Sequence, residues 1–256
     1  MFERESLLAA HQHRHVRLEG ALNVRDLGGL PTQDGKRTRH GVLFRSDTLA
    51  HLTPADQVRL ADLGLATVID LRTEEERTRA PDRLPEGPAP AVRALGFLPR
   101  GNIEMFSAIN TGQLDAAAAV EAMVSQYRNL TLDHHDRYRA FVETLLGPGS
   151  HPLLFHCASG KDRTGIAAAI VLLAVDVPRE AVVEDYAISN FQRRPVDLFT
   201  AGATAPAVEQ VMAAHPRYLE AAFAAMEEAS GSIPAYLAEL GLDAEARRAL
   251  RALLVA

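Results

Sequence analysis

Residues 153–165 read LLFHCASGKDRTG, and this stretch sets the frame for the whole chain. Its first half, PLLFHC (152–157), is a short apolar and aromatic run of the kind that forms a buried strand. Its second half leads into TGIAAAIVLLAVDV (164–177), an apolar run with the length of a buried helix. Strand, tight loop and helix follow each other within a few residues. The loop between them holds the only cysteine of the chain, Cys157, and an arginine six places on, Arg163. Ser159, Gly160, Lys161 and Asp162 lie between. A helix N-terminus offers unpaired backbone N–H groups and the positive end of a dipole, so such a junction is an anion trap.

Working outward, further strands alternate with helices. GVLFRSD (41–47) and LATVIDLR (65–72) read as strands, the second as a buried parallel one. Residues 52–64 read as a helix with Thr53 as N-cap, proline at its first position and a closing glycine. Residues 114–128, 134–146 and 178–191 read as helices, and so does the tail from 204 to 255, broken near 230–234 and 240–243. NVRDLGG (23–29) reads as a short strand ending in a turn, and PDRLPEGPAP (81–90) as a proline-rich loop. This alternation predicts an α/β fold: one domain over 1–256, with a short, mostly parallel sheet flanked by helices. Residues 1–17 form an N-terminal arm, and 178–256 form a helical C-terminal part that is a candidate lid.

The bulk numbers narrow the function classes. At 256 residues and 47% hydrophobic composition the chain supports a sizeable core. A net charge of −6 speaks against a general nucleic-acid binder, so any cationic site is local. A lone cysteine forms no internal disulfide, and the charged N-terminus has no apolar signal region; together these suggest a cytoplasmic protein, with unconventional export left open. The longest apolar helical run, 166–177, falls short of the ~18 residues of a membrane span. The adjacent histidines His134 and His135 do not share a helix face as metal ligands would, and read as a solvated helix start.

The loop residues suit phosphate-ester chemistry. The amides of Ala158, Ser159, Gly160 and Lys161 can surround a tetrahedral oxyanion, and Gly160 lets the chain turn closely. Arg163 has a planar fork that matches two phosphate oxygens. Cys157, at the loop base, is favoured as a thiolate by the helix dipole and the arginine, and is placed for attack on phosphorus. Thr164 can offer its hydroxyl to that thiolate. Lys161 is either a second cation for the cradle or a solvated loop lysine. His156 is expected to hold the loop. Asp162 is either a proton donor for the leaving group or a loop-pinning salt-bridge partner. Asp70 and Arg72 end a strand; they either orient Arg163 or a lysine and steady the loop, or form a surface salt bridge. Arg25, Asp26, Arg45 and Asp47 either form the same kind of charged network or tie down the N-terminal segment. Gly160-Lys161 is followed by an acid rather than Ser/Thr, which excludes the nucleotide-binding Walker loop. No metal or other cofactor is expected.

HCASGKDRTG resembles the cysteine-dependent phosphatase signature H-C-x5-R-[ST]. Its G-K-D-R-T-G form is similar to the bacterial and fungal tyrosine phosphatases related to protein tyrosine phosphatase B. NVRDLGG, FRSDTL (44–49), VIDLRTEEE (68–76), DYAISN (185–190) and GSIPAYLAELGL also resemble that family, in its order, across roughly residues 18–255. The resemblance implies hydrolysis of phosphotyrosine in proteins, with phosphoserine/threonine or phosphoinositides as further substrates, and it assigns the acid to Asp162. Two other readings stand beside it: a catalytically silent phospho-binding module and a rhodanese-like sulfurtransferase.

Overall fold

The computed structural model describes residues 4–87, 89–194 and 198–256. The first three residues of the arm, one residue of the 81–90 loop and residues 195–197 lie outside the described residues. The strands are β1 (Arg25–Asp26), β2 (Leu43–Ser46), β3 (Thr67–Asp70), β4 (Ala91–Ala94) and β5 (Leu153–His156). The helices before β5 are α1 (Arg4–His11), α2 (Pro54–Ala61), α3 (Glu74–Arg79), α4 (Asn102–Asn110), α5 (Ala116–Leu132) and α6 (His135–Leu146). Those after it are α7 (Asp162–Ala174), α8 (Arg179–Ala187), α9 (Ala205–Met212), α10 (Pro216–Ser230), α11 (Ile233–Glu239) and α12 (Ala244–Leu254).

The five strands form one sheet in the order β1-β2-β5-β3-β4. β2, β5, β3 and β4 run parallel, and β1 joins β2 antiparallel at an edge. This is the mostly parallel α/β fold that the alternation of strands and helices predicts. Successive side chains of a strand point to opposite faces, and here the two faces feed two cores. Leu43, Ile69, Leu153 and Phe155 join the main cluster with the helices of the C-terminal half, while Phe44, Val68 and Leu154 pack with Val24, Leu49 and Leu60 on the other side. Both faces are covered, so the central strands read as continuous apolar runs rather than alternating ones. α7 is buried nearly all round, which explains its almost uniformly apolar sequence.

Register places the site. Ser46, His156 and Asp70 stand level across β2, β5 and β3, so three strands end together at the carboxyl edge of the sheet. In parallel α/β sheets that edge is where ligands bind. α2 has the expected start: Thr53 and Asp56 form a reciprocal capping box, with proline at the first helical position. The elements read from the sequence do not include α3, α4 or β4. β4 is an exposed four-residue edge, and its sequence AVRA carries no burial pattern to read.

The arm is more than a surface helix. Arg14, Arg25 and Arg45 are all buried and converge on the buried carboxylate of Asp185, at 2.8, 3.0 and 2.7 Å. Arg25 and Arg45 thus pair with a residue of α8, not with Asp26 or Asp47. Asp47 instead accepts from the amides of Leu22 and Asn23, and Asp26 from those of Gly28 and Gly41. Arg25, Asp26 and Asp47 tie down the N-terminal segment, whereas Arg45 joins Asp185 to the Gly160 carbonyl of the loop.

Candidate active site

The loop from Cys157 to Lys161 joins β5 to the N-terminus of α7. Gly160 has φ +65°, and a Cβ there would lie 2.5 Å from the carbonyl oxygen of Ser46. Only glycine fits such a left-handed, backbone-to-backbone approach. Cys157 is buried at the loop base with a free thiol. Among the described residues, the amides of Ala158, Ser159, Gly160 and Lys161 donate to no protein group.

Arg163 enters α7 at its first turn and is buried. Its end-on edge is filled by Glu76, with Oε2 accepting from Nη1 at 2.6 Å and Oε1 from Nη2 at 2.7 Å. Nη1 also donates to the carbonyls of Leu71 (3.0 Å) and Phe97 (3.1 Å). A guanidinium has five N–H donors. The side-on pair, Nε–H and the second Nη2–H, donates to no group among the described residues. That fork has the spacing of two oxyanion oxygens. Burial disfavours the Arg163 charge, but the bonds from Glu76 and the charges of Cys157 and Glu76 outweigh it and hold the guanidinium protonated.

Glu76 went unassigned in the sequence, although it lies inside VIDLRTEEE. The pattern T-x-x-E reads fully as a helix cap, and it is one: Thr73 and Glu76 cap α3 reciprocally. The same carboxylate reaches Arg163, so a capping signature conceals a site residue. Burial pushes the Glu76 carboxyl up, but Arg163 prevails and holds it below the usual carboxylate range.

Asp162 stands beside the loop with its Oδ1 accepting from the Tyr127 hydroxyl at 2.7 Å. The Lys161 ammonium lies 3.3 Å from the same oxygen. Tyr127 in turn meets the Tyr186 hydroxyl at 2.6 Å. Burial raises both phenols well above their ordinary range, so each stays a neutral donor. Neither tyrosine was singled out in the sequence, since nothing local distinguishes a buried tyrosine on a helix.

Lys161 differs from both of its readings. It is buried, not solvated, and its ammonium donates to the carbonyls of Val211 (2.5 Å) and Ala213 (3.3 Å) at the end of α9. The side chain therefore turns toward the helical cover rather than adding a second cation to the cradle; its backbone amide remains in the loop. Thr164 is fully buried, and its Oγ1 has no hydrogen-bond partner among the described residues.

Asp70 does not contact Arg163, and it is no surface residue. It is 1% exposed and takes Arg72 in a short pair at 2.7 Å. Arg72 reaches further, to Asp82 (2.8 Å), the Ala80 carbonyl (2.8 Å) and the Thr48 hydroxyl (2.9 Å). Thr48 donates its own amide to the Ala158 carbonyl at 3.1 Å, so Arg72 supports the loop through Thr48. His156 places Nε2 3.2 Å from Asp82 and donates Nδ1–H to the Cys157 carbonyl at 3.2 Å. Both ring nitrogens face acceptors. Burial disfavours the imidazolium, but Asp82 outweighs it and raises the His156 pKa. Asp70, Asp82 and His156 could by distance hold a metal ion. Their charges are met by Arg72, which makes the cluster an ion-pair network under the loop.

A cysteine, an arginine with an unspent fork and four loop amides without a protein acceptor among the described residues meet at the carboxyl edge of a parallel sheet, an arrangement that suits an oxyanion. The tyrosine phosphatase family model matches residues 16–256. The chain is 32% identical to a Cupriavidus necator protein assigned as a tyrosine-protein phosphatase, over 90% of this chain and 85% of that one. It is 31% identical to the triple specificity protein phosphatase PtpB of Mycobacterium tuberculosis, over 93% of this chain and 98% of that one. A tyrosine-protein phosphatase of Nostoc commune is 28% identical over 78% and 69% of the two chains. With the family model spanning nearly its whole length, this chain belongs to the tyrosine phosphatase family.

Proposed function

We propose that the protein hydrolyses phosphotyrosine in proteins through a cysteinyl-phosphate intermediate. The observation that carries this reading is the side-on fork of Arg163, left unspent beside the Cys157 loop while Glu76 fixes the other edge. The Cys157 thiolate attacks phosphorus, and the bond from phosphorus to the leaving oxygen breaks. Asp162 donates a proton to that oxygen. Water then attacks the phosphocysteine, Asp162 takes its proton, and the S–P bond breaks to release phosphate and the thiolate. The loop amides and Arg163 meet the negative charge of the phosphoryl oxygens throughout. No step calls for a metal. Tyr127 and Lys161 hold the Asp162 carboxyl in place, and Thr164 assists at the thiolate.

The C-terminal part supplies the cover. α9 lies against α5, and the end of α9 holds Lys161. Phe199 stacks on Phe106 of α4, with ring centroids 5.6 Å apart. This segment is the candidate lid. Among the described residues no helix is long and apolar enough to cross a membrane. A lone catalytic thiol needs reducing surroundings, which favours a cytoplasmic site of action. The M. tuberculosis relative is a triple specificity protein phosphatase, which makes phosphoserine/threonine peptides and phosphoinositides the first alternative substrates to compare.

The test is turnover of a phosphotyrosine peptide in the presence of EDTA. Hydrolysis unaffected by the chelator and inhibited competitively by vanadate is expected. Binding without turnover would leave a silent phospho-binding module. Sulfur transfer from thiosulfate to cyanide would favour the sulfurtransferase.

A further inference from the structure

Two of the stretches that carry the family resemblance are NVRDLGG and DYAISN, and apart from the Tyr186 hydroxyl they take no part in the chemistry above. They meet behind the phosphate loop. The Asn23 side-chain amide donates to the carbonyls of both Ser159 and Gly160 at 3.1 Å, and approaches the Ser189 hydroxyl at 3.2 Å. Arg45 donates Nη2–H to the same Gly160 carbonyl at 2.7 Å. The Asn23 carbonyl oxygen accepts from Arg25 at 2.5 Å, which fixes which way the amide faces. Arg25 and Arg45 are held in turn by Asp185.

We propose that Asn23 and Arg45, anchored by Asp185, are positioning residues that aim the amides of Gly160 and Lys161 at the phosphoryl oxygens. The proposal rests on the phosphatase reading above. In a planar trans peptide the C=O and N–H point in opposite directions. Drawing the Ser159 oxygen back turns the Gly160 N–H forward, and drawing the Gly160 oxygen back turns the Lys161 N–H forward. The carbonyls leading into the loop are bonded too: His156 to the Leu71 amide (2.8 Å), Cys157 to the His156 ring and Ala158 to the Thr48 amide. The peptides on either side of Gly160 are the ones most prone to flip, because glycine populates many backbone states. They are also the ones that receive side-chain donors. Three guanidiniums on one carboxylate leave an excess of positive charge behind the loop, which favours an anion in front of it.

The experiment compares full-length wild type with Asn23→Ala, Asn23→Asp and Arg45→Lys. Asn23→Asp keeps an acceptor for Arg25 but turns an oxygen toward the two loop carbonyls. Arg45→Lys keeps the buried charge and loses the directed bond to Gly160. Readouts are kcat and KM on a phosphotyrosine peptide, the vanadate inhibition constant, and circular dichroism. Loss of one oxyanion donor costs roughly 10²–10³ in kcat; misaiming two donors without removing them predicts about a 10–100-fold fall in kcat for both Asn23 variants. Vanadate affinity falls about 10-fold or more, and KM changes less. Arg45→Lys follows in the same direction, by roughly 3–10-fold. Folded variants with wild-type vanadate affinity and kcat overturn the positioning role, whatever their melting temperature. Wild type lacking turnover removes the phosphatase reading itself, so the two failures are told apart by the control.

Discussion

Glu76 grips Arg163 end-on, with contacts of 2.6 and 2.7 Å, and leaves the side-on edge of the guanidinium without a partner among the described residues. Glu76→Gln keeps the shape and the cap but loses the charge. We expect kcat/KM on a phosphotyrosine peptide to fall about 10–100-fold, an effect of the size that misplacement alone produces. Arg163→Lys, which has no fork, falls further. Equal activity of wild type and Glu76→Gln would show that Arg163 orients itself.

The same pair carries a pH dependence. Burial raises the Glu76 carboxyl, but Arg163 prevails, so its folded-state pKa lies below the ordinary carboxylate value. A depressed carboxyl contributes stability above its unfolded pKa and loses it as pH falls through the folded one. Melting temperature followed from neutral to acidic pH therefore drops less steeply in Glu76→Gln than in wild type.

Asp185 is the larger stability element. Burial opposes its charge, but Arg25, Arg14 and Arg45 hold its pKa well below the usual range. Burial together with the neighbouring Arg45 charge brings Arg25 down to about 9. Removing one partner of a buried ion pair costs about 3–5 kcal/mol. Asp185→Asn should lose at least that much in denaturant unfolding, because three cations are left facing no carboxylate. A loss under ~1 kcal/mol would mean that solvent reaches the cluster.

Tyr127 donates to Asp162 at 2.7 Å. If Asp162 protonates the leaving group, Asp162→Asn is slowed greatly on phenyl phosphate and much less on p-nitrophenyl phosphate, whose leaving group needs no proton. Tyr127→Phe shows the same leaving-group pattern at smaller amplitude, about 3–10-fold, the worth of one hydrogen bond. A uniform loss across leaving groups would make the carboxylate structural.

Lys161 links the loop to the C-terminal end of α9. Lys161→Ala should speed amide hydrogen exchange across α9 and leave the core helix α7 unchanged. Unaltered exchange in α9 would show that its packing on α5 alone keeps it closed.

Much of this was legible from one loop. Strand, glycine and helix come from local pattern, and the Cys157–Arg163 spacing brings both residues to the β5–α7 junction. The second layer was not legible because its partners are far apart in sequence. Glu76 meets Arg163 across 87 residues and Asn23 meets Gly160 across 137. Asp70 ends a strand as read, yet it pairs with Arg72 in a buried network with Asp82 and His156, and Asp82 lies outside any local pattern. Lys161 looked like a cradle cation because its burial under α9 depends on packing that a linear pattern does not contain. β4 escaped notice because an exposed edge strand needs no apolar run.

The central claim is that Cys157 carries the phosphoryl group. An acid-quenched reaction with a phosphotyrosine peptide, followed by mass spectrometry of the peptide containing Cys157, tests it most directly. The account predicts one phosphoryl group on Cys157, and further accumulation in Asp162→Asn when p-nitrophenyl phosphate is the donor, because its leaving group needs no proton while breakdown of the intermediate is slowed. In Cys157→Ser the adduct and the turnover both vanish while vanadate still binds. Steady turnover by Cys157→Ser, or a phosphoryl group found on another residue, would contradict it.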